Sequence, residues 1–187
     1  EGLAGVVALN FASARNPGGG FLRGARAQEE DLARCSALYT CQLTQPDYYA
    51  ANRAHASVLY TDHMIYSPDV PFFRNDNGGW FDAPVLASVI TAAAPNVSAL
   101  REAKKFDEQD VALVLEKRSE LILALAADKQ IDRLVLGAWG AGVFGRLCLT
   151  TRFSGRVAHI ARADLLAVTP SYRRCLRFPG AGTFDGF

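Results

Sequence analysis

Short apolar, β-branched runs alternate along this chain with longer segments of helical periodicity, and that alternation constrains the fold more than any single motif. A first strand is read at about 3–11, where Leu3, Val6, Val7, Leu9 and Phe11 make a nearly continuous apolar run. Further strands are read at 58–61, 63–66, 85–91, 133–136 and 156–161, with a loop rich in Pro, Asp, Asn and Gly over 67–79. Between them the spacing predicts one helix over 28–42, with Leu32, Cys35, Tyr39 and Leu43 on a stripe. It predicts a longer helix over 108–129, where Val111, Val114, Leu115, Leu121, Ile122 and Leu125 share a face, and a short one over 147–153. Asp107 and Asp110 at the start of the long helix and Lys129 at its end suit the helix dipole. Helices laid between buried strands imply an α/β layered sheet with ligand loops at the strand ends. At 187 residues the chain can close one core but not two, so 1–187 reads as a single domain. Its core spans about 3–165, ahead of an irregular tail beyond Pro170. Because the chain opens directly on a buried strand, the N-terminal region of the domain is expected to be incomplete.

The formal net charge of +1 gives no global field for nucleic acid or an anionic membrane, so neither is expected as a direct partner. An anionic ligand remains open, because backbone N–H groups can bind phosphate without Lys or Arg. Four cysteines, Cys35, Cys41, Cys148 and Cys175, form no C-x-x-C pair and read as reduced thiols of a cytoplasmic protein. His55, His63 and His159 are scattered without companion ligands, so neither a metal nor a cofactor is expected. No signal peptide and no apolar run of membrane-spanning length is visible, and no Ser/His/Asp grouping stands at a nucleophile motif. Tyr48-Tyr49 and Phe72-Phe73 read as packing or loop anchors.

Two glycine-rich loops carry the functional signal. The second, Gly140-Ala141-Gly142-Val143-Phe144-Gly145, matches G-x-G-x-x-G after a strand, with Asp164 about 20 positions on. A dinucleotide fold would need several more βα units than the remaining ~40 residues can hold. That leaves a tight packing turn or a backbone anion cradle; the glycine density favours the cradle. The first loop is more specific: Gly18-Gly19-Gly20 follow Asn16-Pro17, and Gln28-Glu29-Glu30 stand shortly after at a helix start. Acids there complement the helix dipole. Set beside two bare backbone surfaces, they also suit a site holding a diphosphate-linked sugar next to an acid.

A GGG loop followed after several residues by QEE resembles the macrodomain-type poly(ADP-ribose) glycohydrolases, in their bacterial-type branch. The similarity includes the stretch from Leu9-Asn10-Phe11-Ala12-Ser13-Ala14-Arg15-Asn16 through Gly18–Gly20 to Glu30, and Ile65-Tyr66-Ser67-Pro68-Asp69-Val70-Pro71. Thr91-Ala92-Ala93-Ala94-Pro95-Asn96 and the 140–145 loop add to it. The resemblance runs over about 3–165, and neither the opening elements of the usual adenine pocket nor a motif in the tail is found. It implies a macrodomain-like α/β/α layered mixed sheet and hydrolysis of ribose–ribose bonds in poly(ADP-ribose), in a cytoplasmic enzyme of a DNA damage response. Poly(ADP-ribose), ADP-ribose and ADP-ribosylated proteins are its implied partners.

Carried over residue by residue, the resemblance makes Glu30 the catalytic residue, with Glu29 and Gln28 fixing the ribose and orienting Glu30. Gly18, Gly19 and Gly20 line the catalytic loop, and Asn10 and Asn16 flank the distal ribose. Gly140, Ala141, Gly142, Val143 and Gly145 wrap the diphosphate, with Phe144 packed against the terminal ribose unless it is a core aromatic. Cleavage at an anomeric carbon passes through an oxocarbenium-like state and needs a proton donor to the leaving oxygen. One acid can serve first as donor and then as base toward water, with the diphosphate stabilising the cation. Two other classes remain open: an ADP-ribose-binding module without turnover, which has no need of the acids, and a mono-ADP-ribosyl hydrolase.

Overall fold

A computed structural model describes residues 5–75, 77–137, 139 and 164–167. Among them a five-stranded mixed sheet has the order β2-β3-β1-β4-β5. Its strands are β1 (Val6–Phe11), β2 (Met64–Arg74), β3 (Trp80–Ala92), β4 (Arg133–Leu136) and β5 (Asp164–Ala167). β1 runs parallel to both β3 and β4, β4 runs parallel to β5, and β2 is antiparallel to β3. Among the described residues five α-helices accompany the sheet: α1 (Gln28–Cys35), α2 (Leu38–Leu43), α3 (Pro46–Ala54), α4 (Val97–Glu102) and α5 (Glu108–Asp128).

Strand alternation sorts the core into two layers. Ile90 and Ala92 of β3, with Val7 and Leu9 of β1 and Leu134 of β4, pack with Val97 and Leu100 of α4 and Val111, Leu115, Ile122, Leu123 and Ala126 of α5. The intervening Val89 packs instead with Val70 and with Leu38 of α2, while Ile65 meets Tyr48 and Tyr49 of α3. This is the expected α/β/α layering. Asn10 pairs in register with Thr91, so both point to the α1–α3 side.

Several local expectations are corrected. The helix read over 28–42 is two, because Ser36 forms a β-bridge with Phe72 and the Ala37 amide donates to Pro71 O at 3.1 Å. Ser36 Oγ donates to Leu32 O (2.6 Å) and accepts from Leu38 N (3.2 Å), closing one helix and starting the next. The loop read at 67–79 is mostly strand. β2 lies at the sheet edge, where Pro68 and Pro71 forfeit no ladder on the open side. A register shift between Ser67 and Val70 absorbs Asp69, whose φ is 48°. The strand read at 58–61 is a turn with Tyr60 at φ 63°, and the Leu59 and Tyr60 carbonyls bond to the Arg118 guanidinium instead of a neighbouring strand. On α5 the buried stripe runs through Val111, Leu115, Arg118, Ile122 and Ala126, while Leu121 is exposed. The helix read over 147–153 and the strand over 156–161 lie outside the described residues, as does the tail.

Candidate active site

The site forms where β1 ends. Ligand sites in open α/β sheets sit at the carboxyl ends of strands, and here a loop leaves Phe11, passes Gly18–Gly20 and returns as α1. Gln28, at the start of that helix, is the pin. Its Oε1 accepts from Phe11 N (2.8 Å) and its Nε2 donates to Leu9 O (2.7 Å), so its amide satisfies the edge of β1 as another strand would.

Glu29 then projects under the sheet and is almost wholly buried. Its Oε2 accepts from Ser13 N at 2.6 Å, and its Oε1 accepts from Asn10 Nδ2 at 3.2 Å and Gln42 Nε2 at 2.9 Å. Burial pushes the Glu29 carboxyl up to about 7; the three donors pull against that rise and the charge of Glu30 adds to it. Asn10, fully buried, shares its amide nitrogen between Glu29 and Thr91 Oγ1 (3.2 Å).

Glu30 points to the glycine loop. Its Oε1 accepts from Gly20 N at 2.8 Å, and among the described residues that is the only hydrogen bond its carboxylate receives. Gly18 and Gly19 have φ of 62° and 58°, the left-handed region where glycine alone is unstrained. At Gly19 a second constraint applies: a Cβ there would overlap Glu30 Oε1 and lie 3.0 Å from Glu29 Oε2. The bare backbone of Gly19 therefore faces both carboxylates at once. Asn16 stands exposed at the outer corner of the loop, where its carbonyl accepts from Gly19 N at 3.0 Å.

The structure thus brings Gln28, Glu29, Glu30, Asn10, Gly18, Gly19 and Gly20 into one cluster, with Asn16 at its rim. Gly140, Ala141, Gly142, Val143, Phe144 and Gly145 lie outside the described residues. The root of their loop is visible, because parallel pairing of β1 with β4 sets Ala8 beside Val135 and so brings both loop origins to the same end of the sheet. There Trp139 is fully buried and donates from Nε1 to Ala92 O at 3.2 Å. Sequence reasoning missed Gln42, Ser13, Thr91 and Trp139. A glutamine in a helix and a serine in a loop carry no local signal; only their distance to Glu29 marks them. Among the described residues no group of His, Cys, Asp and Glu is placed to hold a metal, and no helix is long and apolar enough to cross a membrane.

Residues 1–75 match the family described as the microbial-type PARG catalytic domain. No curated protein matches the chain. Solved structures do. One is poly(ADP-ribose) glycohydrolase from Deinococcus radiodurans in complex with ADP-ribose, at 52% identity and a TM-score of 0.70, covering 75% of this chain and 57% of that one. Another is the Thermomonospora curvata enzyme bound to the inhibitor ADP-HPD, at 40% identity and a TM-score of 0.74, covering 87% and 63%. The chain thus spans less than two thirds of either of these. A second Deinococcus radiodurans structure with ADP-ribose matches at 42% identity and a TM-score of 0.77, over 92% of this chain and 73% of its own. On that breadth of similarity, the chain belongs to the microbial-type poly(ADP-ribose) glycohydrolase family.

Proposed function

We propose that the chain hydrolyses the ribose–ribose O-glycosidic bonds of poly(ADP-ribose) and releases ADP-ribose, with Glu30 as general acid and base. The observation that carries this reading is the arrangement around Gly19: two buried carboxylates meet one bare stretch of backbone, and Glu30 is held there through Oε1 by Gly20 N. A carboxyl with one oxygen anchored and the other unclaimed by donors among the described residues is oriented for proton transfer. The Deinococcus relatives hold ADP-ribose and a Thermomonospora relative holds an inhibitor, which supports ADP-ribose as the ligand here.

In the proposed reaction the Glu30 carboxyl gives its proton to the glycosidic oxygen. The bond from that oxygen to the anomeric carbon breaks with its electron pair left on oxygen, and the ribose passes through an oxocarbenium-like state. Water then adds to the anomeric carbon and returns its proton to the Glu30 carboxylate. The diphosphate, cradled by Gly140, Ala141, Gly142, Val143 and Gly145, offsets the positive charge, and Phe144 packs the terminal ribose. Asn10 acts from beneath, by fixing Glu29, and Gln28 acts by pinning α1 to β1. ADP-ribosylated proteins in the cytoplasm of a bacterial cell, after DNA damage, are the proposed physiological setting.

The test is Glu30→Gln. The amide keeps the size and can still accept from Gly20 N, but it has no carboxyl proton. ADP-ribose release from purified polymer is expected to fall by about 10²–10⁴-fold, with ADP-ribose affinity and thermal stability retained. Near-normal turnover in a folded Glu30→Gln variant refutes the assignment. Retained binding in a wild-type chain that turns nothing over favours an ADP-ribose-binding module instead.

A further inference from the structure

We propose that Gln42 is a positioning residue that ties the glycine loop to Glu29 and so holds both sides of the Glu30 carboxylate in register. The inference rests on the glycohydrolase reading above. Gln42 sits on α2, away from the loop and the QEE run in sequence, and is completely buried. Its Oε1 accepts from Gly18 N at 2.8 Å and its Nε2 donates to Glu29 Oε1 at 2.9 Å. A neutral amide can do both at once; a carboxylate only accepts, an ammonium only donates and an aliphatic chain does neither.

The two ends matter because each flanks Glu30. Gly18 begins the left-handed turn that presents Gly19 and Gly20, and its Cα is crowded by Tyr39, whose Cδ2 would lie 2.9 Å from a Cβ. Gly20 N holds Glu30 directly. On the other side Glu29 precedes Glu30 on α1. Among the described residues Glu30, on the same helix, is the charged group acting on Glu29; the phenols of Tyr48 and Tyr49 on α3 feel the Glu29 charge in turn, and β1 and the loop contribute the donors Asn10 and Ser13 N. With no cation acting on Glu29 among the described residues, loss of the Gln42 donor leaves its carboxylate less well stabilised, and it takes a proton more readily.

The experiment compares Gln42→Leu and Gln42→Glu with wild type in the full chain. It records the ¹³C carboxyl titration of Glu29, kcat and KM on purified polymer against pH, and melting curves. In Gln42→Leu we expect the Glu29 midpoint to move to higher pH and kcat to fall by about 100-fold, the scale of a ~1 Å misplacement, with KM little changed. In Gln42→Glu the protonated side chain can again donate to Glu29 while accepting from Gly18 N. Its turnover relative to wild type should therefore be greatest at low pH and decline as pH rises. An unmoved Glu29 midpoint in Gln42→Leu, or unchanged kcat in that folded variant, overturns the proposal. Should Gln42→Leu not fold, a flat ratio of Gln42→Glu to wild-type turnover across pH overturns it instead. A wild-type chain that leaves polymer intact refutes the glycohydrolase reading, and the titration still decides the relay.

Discussion

Gly19→Ala is expected to abolish the proposed turnover by moving a carboxylate, and the structure separates that effect from plain backbone strain. Gly19 has φ 58°, and an L-residue held in this region costs about 1–2 kcal/mol. For a chain of this length that corresponds to a fall in Tm of about 2–8 °C. The added methyl also overlaps Glu30 Oε1 and stands 3.0 Å from Glu29 Oε2. Restoring ordinary contact requires Glu30 to retreat by about 1 Å, which breaks its 2.8 Å bond from Gly20 N. Displacement on that scale costs about 100-fold in kcat. Gly24→Ala is the matched control: its φ is 78°, but a Cβ there meets nothing within 4 Å. Gly24→Ala should melt earlier by the backbone strain alone and Gly19→Ala by at least as much, and only Gly19→Ala should lose turnover per folded molecule. Polymer hydrolysis measured beside thermal melts decides it. A folded Gly19→Ala variant within twofold of wild type, or a Gly24→Ala variant equally inactive, refutes the steric argument.

Glu29 gives a pH prediction whose sign is fixed by burial. Its folded pKa, raised from 4.5 to about 7, makes the folded state hold the proton more tightly than the unfolded state. Its contribution to stability is therefore full below about pH 4.5 and lost as pH rises through 7, an effect of about 3 kcal/mol at most. Glu29→Gln removes that dependence, so the stability difference between variant and wild type should change across this window; a difference flat from pH 4.5 to 8 in urea titrations rules the shift out. Arg118 is almost fully buried, and its guanidinium bonds Asp62 and Ala93 O at 2.9 Å together with the Leu59 and Tyr60 carbonyls. Arg118→Leu should cost about 1–3 kcal/mol for each carbonyl left without this donor, while Asp62 keeps Lys117 at 2.6 Å, and an unfolding midpoint within error of wild type would contradict it. Gly142→Val should weaken ADP-ribose binding in calorimetry if the 140–145 loop wraps the diphosphate, and unchanged affinity in a folded variant removes that loop from the site.

The sequence by itself determined what repeats locally. β4 falls on the residues that its apolar run marks, 133–136, and α5 begins after Asp107, whose carboxylate accepts from Gln109 N and Asp110 N. β1 is a strand because a chain buried on both faces needs an unbroken apolar run. The GGG and QEE blocks were legible as a unit because a loop that must approach carboxylates closely has to be glycine and short. Tertiary structure decided the rest, through contacts that no local period encodes. β2 runs through two prolines because it lies at a sheet edge, and α1 ends at Ser36 because that edge reaches it there. Arg118 occupies a core position on α5 because four acceptors converge on it, a set assembled from residues far away in the chain. Burial raises the proton affinity of Glu29, which its residue type does not show. Desolvation and hydrogen bonding depend on what surrounds a side chain in space, and Gln42 came to the Glu29 carboxylate only when α2 packed on β2 and β3 beside α1.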